Sequence, residues 1–266
     1  MANRRQFVRG AAGVAAFIGV AATAPRPGAY AQSTPEASPA AGATPYVAPD
    51  ISTLPLKTKG QLTIHADQPL YPPWFEDNDP TNGKGFESAL SYAIGERMGF
   101  TKDQIKWGYT AFNSSYAPGP KDFDFYITEV GITDARKEAV DFSDPYYQSP
   151  LVVVTKKDSP LLAAKSVSEL SKYAFGTQIG TIYSTYIQDT IKPEKQTLVY
   201  NTNADSLQAL ENGQVDAVLE DLEIGIYNVT IQFQDLALGG ILPGVASGGE
   251  GRIIDRADFH RAGRRD

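Results

Sequence analysis

The sequence predicts an α/β fold large enough for one big or two ordinary domains, and three observations carry that expectation. Short β-branched or aromatic runs recur along the chain, at residues 62–66, 105–109, 123–127, 151–155, 174–178, 197–200 and 215–220. From residue 174 onward single helical stretches separate them, so these strands should be parallel and joined by right-handed crossovers. The bulk values are those of a globular chain: 266 residues, 42% hydrophobic and 21% charged.

Composition removes several function classes. The formal charge is −7 and no basic cluster is interleaved with aromatics, which argues against a nucleic-acid partner. The chain has no cysteine, which excludes disulfides, thiolate metal sites, thiol catalysis and a lipid-modified N-terminal cysteine. With His65 and His260 alone, a histidine-rich metal site is excluded. A carboxylate calcium site stays open, but no D-x-D-x-D-G loop is present. No metal or cofactor is implied.

Arg4 and Arg5, followed by the Ala/Gly-rich core 11–24 and the small-x-small site Ala29-Tyr30-Ala31, read as a twin-arginine export signal spanning 1–31. The core is too short to span a bilayer comfortably. Residues 32–56, rich in Pro, Ala, Ser and Thr, read as a disordered spacer.

Leu62–Ala66 is a first buried strand, with His65 a core residue rather than a ligand. It opens into an extended loop fixed by prolines, Asp67 to Phe75, whose aromatics no strand can bury. Asp67 is either a turn cap or a site residue. Phe86, Leu90, Ala93, Ile94 and Met98 form the apolar face of a helix that ends at Gly99, and are read as core. Ile105, Trp107 and Tyr109 alternate as a strand, with Trp107 assigned to the core. Phe123, Phe125 and Ile127 mark another that ends at Thr128. The turn Glu129–Thr133 follows, with Thr133 at the N-cap of a helix whose first turn holds Asp134 and Arg136. An acid suits that turn and an arginine does not, because the unpaired amides already make the helix start positive. Arg136 is therefore poised to hold an anion, or else is a surface residue paired with Glu129 or Asp134. Beyond it, β-branched residues fill 151–155, and strands alternate with single helices to Asp221. Asp221 ends a strand, where a carboxylate in an open α/β sheet faces the crevice. Glu220 points to the other face.

The stretch ITDARKEAVDFSDPYYQ resembles the signature S-I-T-x-x-R-x-x-x-V-D-F-S-x-P-Y-Y of the periplasmic polar amino-acid-binding proteins, the family 3 solute-binding components of ABC importers. Gly85-Phe86-Glu87 resembles the family's G-F-D/E helix start. Gln178-Ile179-Gly180-Thr181 matches its Q-x-G-T motif, and Val215 to Asp221 its V-D-A-V-x-x-D strand. The likeness runs from about Leu62 to Asp221. It implies a two-lobed type II periplasmic-binding-protein fold, each lobe a mostly parallel sheet flanked by helices, with the cleft between them. Residues 57–152 would form lobe 1 and 153–240 lobe 2, with the strand after the signature crossing between them.

The resemblance also implies a monomer that captures a polar amino acid by hinge closure, without catalysis or cofactor, and hands it to an ABC permease. Its ligand residues would be Asp67, Tyr71, Phe112, Thr128, Glu129, Gly131, Arg136, Gly180, Thr181 and Asp221. Arg136 would hold the ligand carboxylate, with the amides at Gly180-Thr181 helping from the other lobe, and Asp221 the ammonium. Phe112 would stack on the ligand.

This chain departs from the pattern at several points. Gly131 stands where the family usually has serine, Glu129 where a small polar residue is common, and the step from Asp67 to Tyr71 is one residue longer. If Glu129 enters the cleft, it and Asp67 would favour a cationic side chain. Two other readings use the same fold: a dehydratase-like enzyme with Glu129 as general acid, and a sensor module. Residues 241–266 fit the pattern least, and 248–266, rich in Arg, Gly and Asp with no periodic apolar face, suggest a truncated or frame-shifted tail.

Overall fold

The computed structural model describes residues 46–243 and 253–254. The export signal at 1–31 and the first part of the spacer lie outside the described residues, as does most of the tail.

The elements run in the order β1 (Leu62–Ala66), α1 (Phe86–Arg97), β2 (Ile105–Tyr109), α2 (Phe112–Ser115), β3 (Phe125–Tyr126), α3 (Asp134–Lys137) and β4 (Asp141–Phe142). They continue with β5 (Leu151–Lys156), β6 (Phe175–Gln178), α4 (Ile182–Tyr186), β7 (Leu198–Tyr200), α5 (Asn203–Glu211), β8 (Ala217–Asp221), α6 (Leu222–Tyr227), β9 (Leu236–Ile241) and β10 (Ile253–Ile254). The strands form two five-stranded sheets, ordered β2-β1-β3-β10-β4 and β7-β6-β8-β5-β9. In the first, β1 pairs in parallel with β2 and β3, and β10 enters antiparallel between β3 and β4. In the second, β6 is parallel to β7 and β8, while β5 runs antiparallel to β8 and β9. Both sheets belong to one compact unit, Val47–Asp266.

Burial explains the strand composition. In β1, Leu62, Ile64 and Ala66 are buried while the residues between them are half-covered, the pattern of a strand with one packed face. β5 is an interior strand, between β8 and β9, and is packed on both faces. Leu151 and Val153 join Phe175, Ala217 and Leu219 in one cluster, and Val152 and Val154 join Leu207, Leu210 and Val218 in another. A strand covered on both sides needs no polar alternation, hence the unbroken β-branched run.

Four expectations change. The spacer was expected to reach residue 56, but Ile51–Thr53 form a 3-10 turn capped by Asp50, and Ile51, Leu54 and Leu56 pack against the first core. The strand expected to cross between lobes, β5, lies wholly in the second sheet, so a division between 152 and 153 falls inside it and the crossing is made by residues 143–150. The tail returns a strand, β10, to the first sheet. In α1 the buried residues are Glu87, Ser88, Ser91 and Gly95, while Leu90, Ile94 and Met98 are only partly covered. The helix approaches the sheet so closely that a Cβ at Gly95 would meet the Ile105 side chain at 2.5 Å, so small residues take the contact face and the larger ones flank it.

Gly85, the N-cap of α1, has φ +87°, and a Cβ there would lie 2.4 Å from the Trp74 carbonyl oxygen. That neighbour is backbone and cannot rotate away. Gly85→Ala should therefore lower stability by about 2–4 kcal/mol, combining left-handed strain with a backbone clash. A urea melt with an unchanged midpoint would contradict this.

Candidate functional site

The carboxyl ends of the strands converge on one cleft, as open α/β sheets require. β1 delivers Asp67, β3 the turn from Thr128 to Gly131, β6 Gln178 and Thr181, β7 Asn203, and β8 Asp221. With Phe112, Arg136 and Tyr183 these residues line a cleft between the sheets holding about 590 Å3 of empty space, its mouth included.

Arg136 is 7% exposed. The Thr133 hydroxyl caps α3 by accepting the Arg136 amide hydrogen at 3.2 Å, which fixes the residue in the first turn. Its guanidinium donates to the Gly131 carbonyl at 2.6 Å and to the Gly180 carbonyl of the second lobe at 2.9 Å. It lies over the rings of Phe112 and Tyr116, 5.3 and 4.6 Å from their centroids. Burial lowers its pKa, although an arginine stays charged. Among the described residues it forms no ion pair, so neither Glu129 nor Asp134 neutralises it as a surface reading would require.

Asp221, 5% exposed, ends β8 and accepts a 2.9 Å hydrogen bond from the Tyr183 hydroxyl. Burial pushes its carboxyl up to about 7, against the pull of that hydrogen bond. Asp67 takes one hydrogen bond from the Phe112 amide at 3.2 Å and one from the Gln178 side chain at 3.1 Å, so it joins the two lobes. Burial raises its pKa as well. Thr128 accepts the Asp67 amide at 2.9 Å and donates to the Ile127 carbonyl. Tyr71, largely buried, borders the cleft with a hydroxyl that has no partner among the described residues, and burial leads the causes that raise its pKa.

Two further acids stand behind the lining. Glu220 is fully buried and accepts from Asn203 at 2.7 Å and from Asn228 at 2.9 and 3.1 Å. Glu87 is fully buried and accepts the Glu129 amide at 2.8 Å and the Tyr146 hydroxyl. Burial is the main cause that pushes each up to about 7. Glu129 itself lines the cleft, with φ +43°.

Of the ten residues expected at a site, all but Gly180 line this cleft. Gly180 sits behind it at φ +76°, and its carbonyl accepts from Arg136 and, at 2.7 Å, from Tyr116. A Cβ there would meet the Tyr116 hydroxyl at 2.1 Å, so glycine is needed for close approach between lobes. Thr181 caps α4 through its hydroxyl, which accepts from the Ser184 amide at 3.4 Å and donates to the Gln178 carbonyl. Sequence reasoning missed Pro69, Gln178, Ile182, Tyr183, Asn203 and Ile224. Gln178 lay inside the Q-x-G-T match, and Asn203 follows the carboxyl end of β7, the position that flagged Asp221.

Comparison with known proteins follows the same segments. The family model for bacterial extracellular solute-binding proteins, family 3, matches residues 62–221. ABC transporter arginine-binding protein 1 of Escherichia coli (strain K12) is 31% identical over 158 residues, 58% of this chain and 60% of that protein. L-cystine-binding protein TcyA of Bacillus subtilis (strain 168) is 28% identical over 167 residues, 62% of this chain and 59% of that one. The matches thus span about three fifths of the length of these curated relatives. Among solved structures, holo ArgBP from T. maritima superposes with a TM-score of 0.64 at 26% identity, covering 76% of this chain and 85% of that one. An ancestral arginine-binding protein bound to arginine also gives 0.64, at 24% identity over 76% and 87% of the two chains, a likeness of fold. With the signature, the two-sheet architecture and the family match in agreement from Leu62 to Asp221, the chain belongs to the bacterial extracellular solute-binding proteins of family 3.

Proposed function

We propose that this chain is an extracytoplasmic binding protein that captures an amino acid with a cationic side chain in the cleft between its lobes and delivers it to an ABC-type permease. The observation that carries the reading is the pairing of Arg136 and Asp221 in one cleft, the first a buried guanidinium that donates to two carbonyls and, among the described residues, forms no ion pair. A guanidinium forks onto a carboxylate, and a carboxylate takes an ammonium, so the pair suits the two ends of a zwitterion. Asp67 and Glu129 also line the cleft. Once the zwitterion has matched Arg136 and Asp221, these two carboxylates remain to attract a positive side chain. Phe112 supplies an aromatic wall, and Gly131 leaves room where a serine hydroxyl would stand.

The names of relatives favour the same class, since several are arginine-binding proteins. We read the chain as a monomer exported behind a twin-arginine signal, and as a carrier rather than a catalyst.

Titration calorimetry on the chain without its signal should show L-arginine and L-lysine binding more tightly than L-glutamate. Arg136→Gln and Asp221→Asn should each weaken arginine binding by at least about 30-fold, the low end of the cost of leaving a buried charge unpaired. Tighter binding of glutamate would reject the charge argument, and no binding of any amino acid would reject the function.

The ammonium needs Asp221 ionised, and burial holds its carboxyl near 7. A bound cation favours the carboxylate, so binding is strongest above about pH 7 and weakens as pH falls through it, by up to about tenfold per unit. Arginine affinity that stays flat between pH 5.5 and 8 would show that Asp221 does not carry the ammonium.

A further inference from the structure

The proposed function uses Arg136, Asp221 and the acids that line the cleft, but it leaves Glu87 without a task. Glu87 does not border the cleft. It is a fully buried carboxylate on the second residue of α1, where a solvent-facing helix would place its acids outward. One of its oxygens, Oε1, accepts from two groups of different elements: the Glu129 amide at 2.8 Å and the Tyr146 hydroxyl. The other, Oε2, has no partner among the described residues.

The two donors belong to places that matter for opposite reasons. Glu129 lines the cleft in a left-handed conformation that few residues other than glycine adopt, so something must hold its backbone there. Tyr146 lies in the segment 143–150, which carries the chain from β4 in the first sheet to β5 in the second. Ring contacts reinforce the second attachment: Phe86, the neighbour of Glu87, packs against both Tyr146 and Tyr147, with centroids 6.1 and 5.9 Å apart. On the far side of the same segment, Tyr147 donates to Glu223 at 2.7 Å, and Ser149 donates to the other oxygen of Glu223. Glu223 stands in the first turn of α6, two residues after Asp221. The crossover is thus gripped by one carboxylate from each lobe, and each carboxylate sits beside a cleft acid.

We propose that Glu87 is a positioning residue that sets the Glu129 turn in the cleft and joins it to the inter-lobe crossover, so that the shape of the binding site and the path of the crossover are fixed together. A single oxygen shared by both donors makes the coupling direct: loosening either bond frees the acceptor of the other. Burial of the acceptor makes the joint costly to break, because a fully buried carboxylate that loses a donor has little water to replace it. The effect on ligand affinity rests on the amino-acid reading of the cleft, whereas the coupling itself does not.

Amide hydrogen exchange on the ligand-free chain tests the coupling. Tyr146→Phe removes one hydroxyl, keeps the ring for packing, and leaves Glu87 and Glu129 unchanged. It should speed exchange of the Glu129 amide several-fold, whereas unchanged exchange there would overturn the proposal. Glu87→Gln, whose side-chain oxygen still accepts both bonds, should keep the wild-type protection, while Glu87→Ala should lose it at Glu129 and across 143–150 together. Loss in Glu87→Gln as complete as in Glu87→Ala would overturn it as well. With L-arginine as probe at pH 8, Tyr146→Phe should weaken binding several-fold relative to wild type. If the wild-type chain binds and the variant matches it, the proposal falls. If the wild-type chain binds no amino acid, the function assigned to the cleft falls and the exchange experiment alone decides the role of Glu87.

Discussion

The guanidinium of Arg136 is the point on which the cleft is built. It lies almost fully out of water, between a carbonyl of its own lobe, a carbonyl of the facing lobe and two aromatic rings. Burying a charge is expensive unless opposite charge or well-aimed dipoles compensate. Here dipoles do, and a carboxylate would do it better. The local sequence explains how the residue reaches this place. Thr133 caps a short helix, the cap fixes Arg136 one turn in, and Gly131 adds no side chain between the guanidinium and the carbonyl it bonds. Gly180, tolerant of a left-handed backbone, lets the second lobe present its carbonyl from the other side.

The acids around this cation form two layers. Asp67, Glu129 and Asp221 border the cleft, and Glu87 and Glu220 stand behind it, held by a backbone amide, a tyrosine and two asparagines. Desolvation is the first cause of the upward shift for Asp67, Glu87, Glu220 and Asp221 alike. The common cause has a common consequence. A cation entering the cleft replaces part of the lost hydration for the acids that border it, and through them for the layer behind. An anion would deepen the penalty. On the proposed function, selection for a cationic ligand would rest on these acids together, with no single residue responsible.

The parts of this arrangement differed in how legible they were. Arg136 could be found because a cation in a helix's first turn contradicts the helix dipole, and such local conflicts mark functional positions. Asp221 could be found because strand ends face the crevice. β5 was visible as a strand from its β-branched run, but not as an interior strand of the second sheet, since which sheet a strand joins depends on partners far away in the chain. Asn203 and Tyr183 escaped because their roles come from facing Glu220 and Asp221 across a fold that the sequence does not display. The buried face of α1 escaped for a different reason. Apolar periodicity marks the side of a helix that avoids water, but where the helix packs closest the space admits only Ser88, Ser91 and Gly95, and the larger apolar residues are pushed to the flanks.

Three of the hydrogen bonds that span the cleft bear directly on Arg136 and Asp67: Gln178 to Asp67, Tyr116 to the Gly180 carbonyl and Arg136 to the same carbonyl. A neutral hydrogen bond contributes a net of about 1 kcal/mol and one to a charged group about 1.5–3 kcal/mol. Bonds of this size hold two lobes together without locking them. Two of the three converge on one carbonyl, whose two lone pairs accept both donors. On the proposed function, a ligand carboxylate would contest that carbonyl for the guanidinium, offering full negative charge in place of a dipole. The chain's own contacts would then bring the lobes near their meeting geometry, and the ligand's charges would decide whether they stay there. A binding protein needs that division of labour, because a cleft closed firmly by its own bonds could neither admit a ligand nor release one.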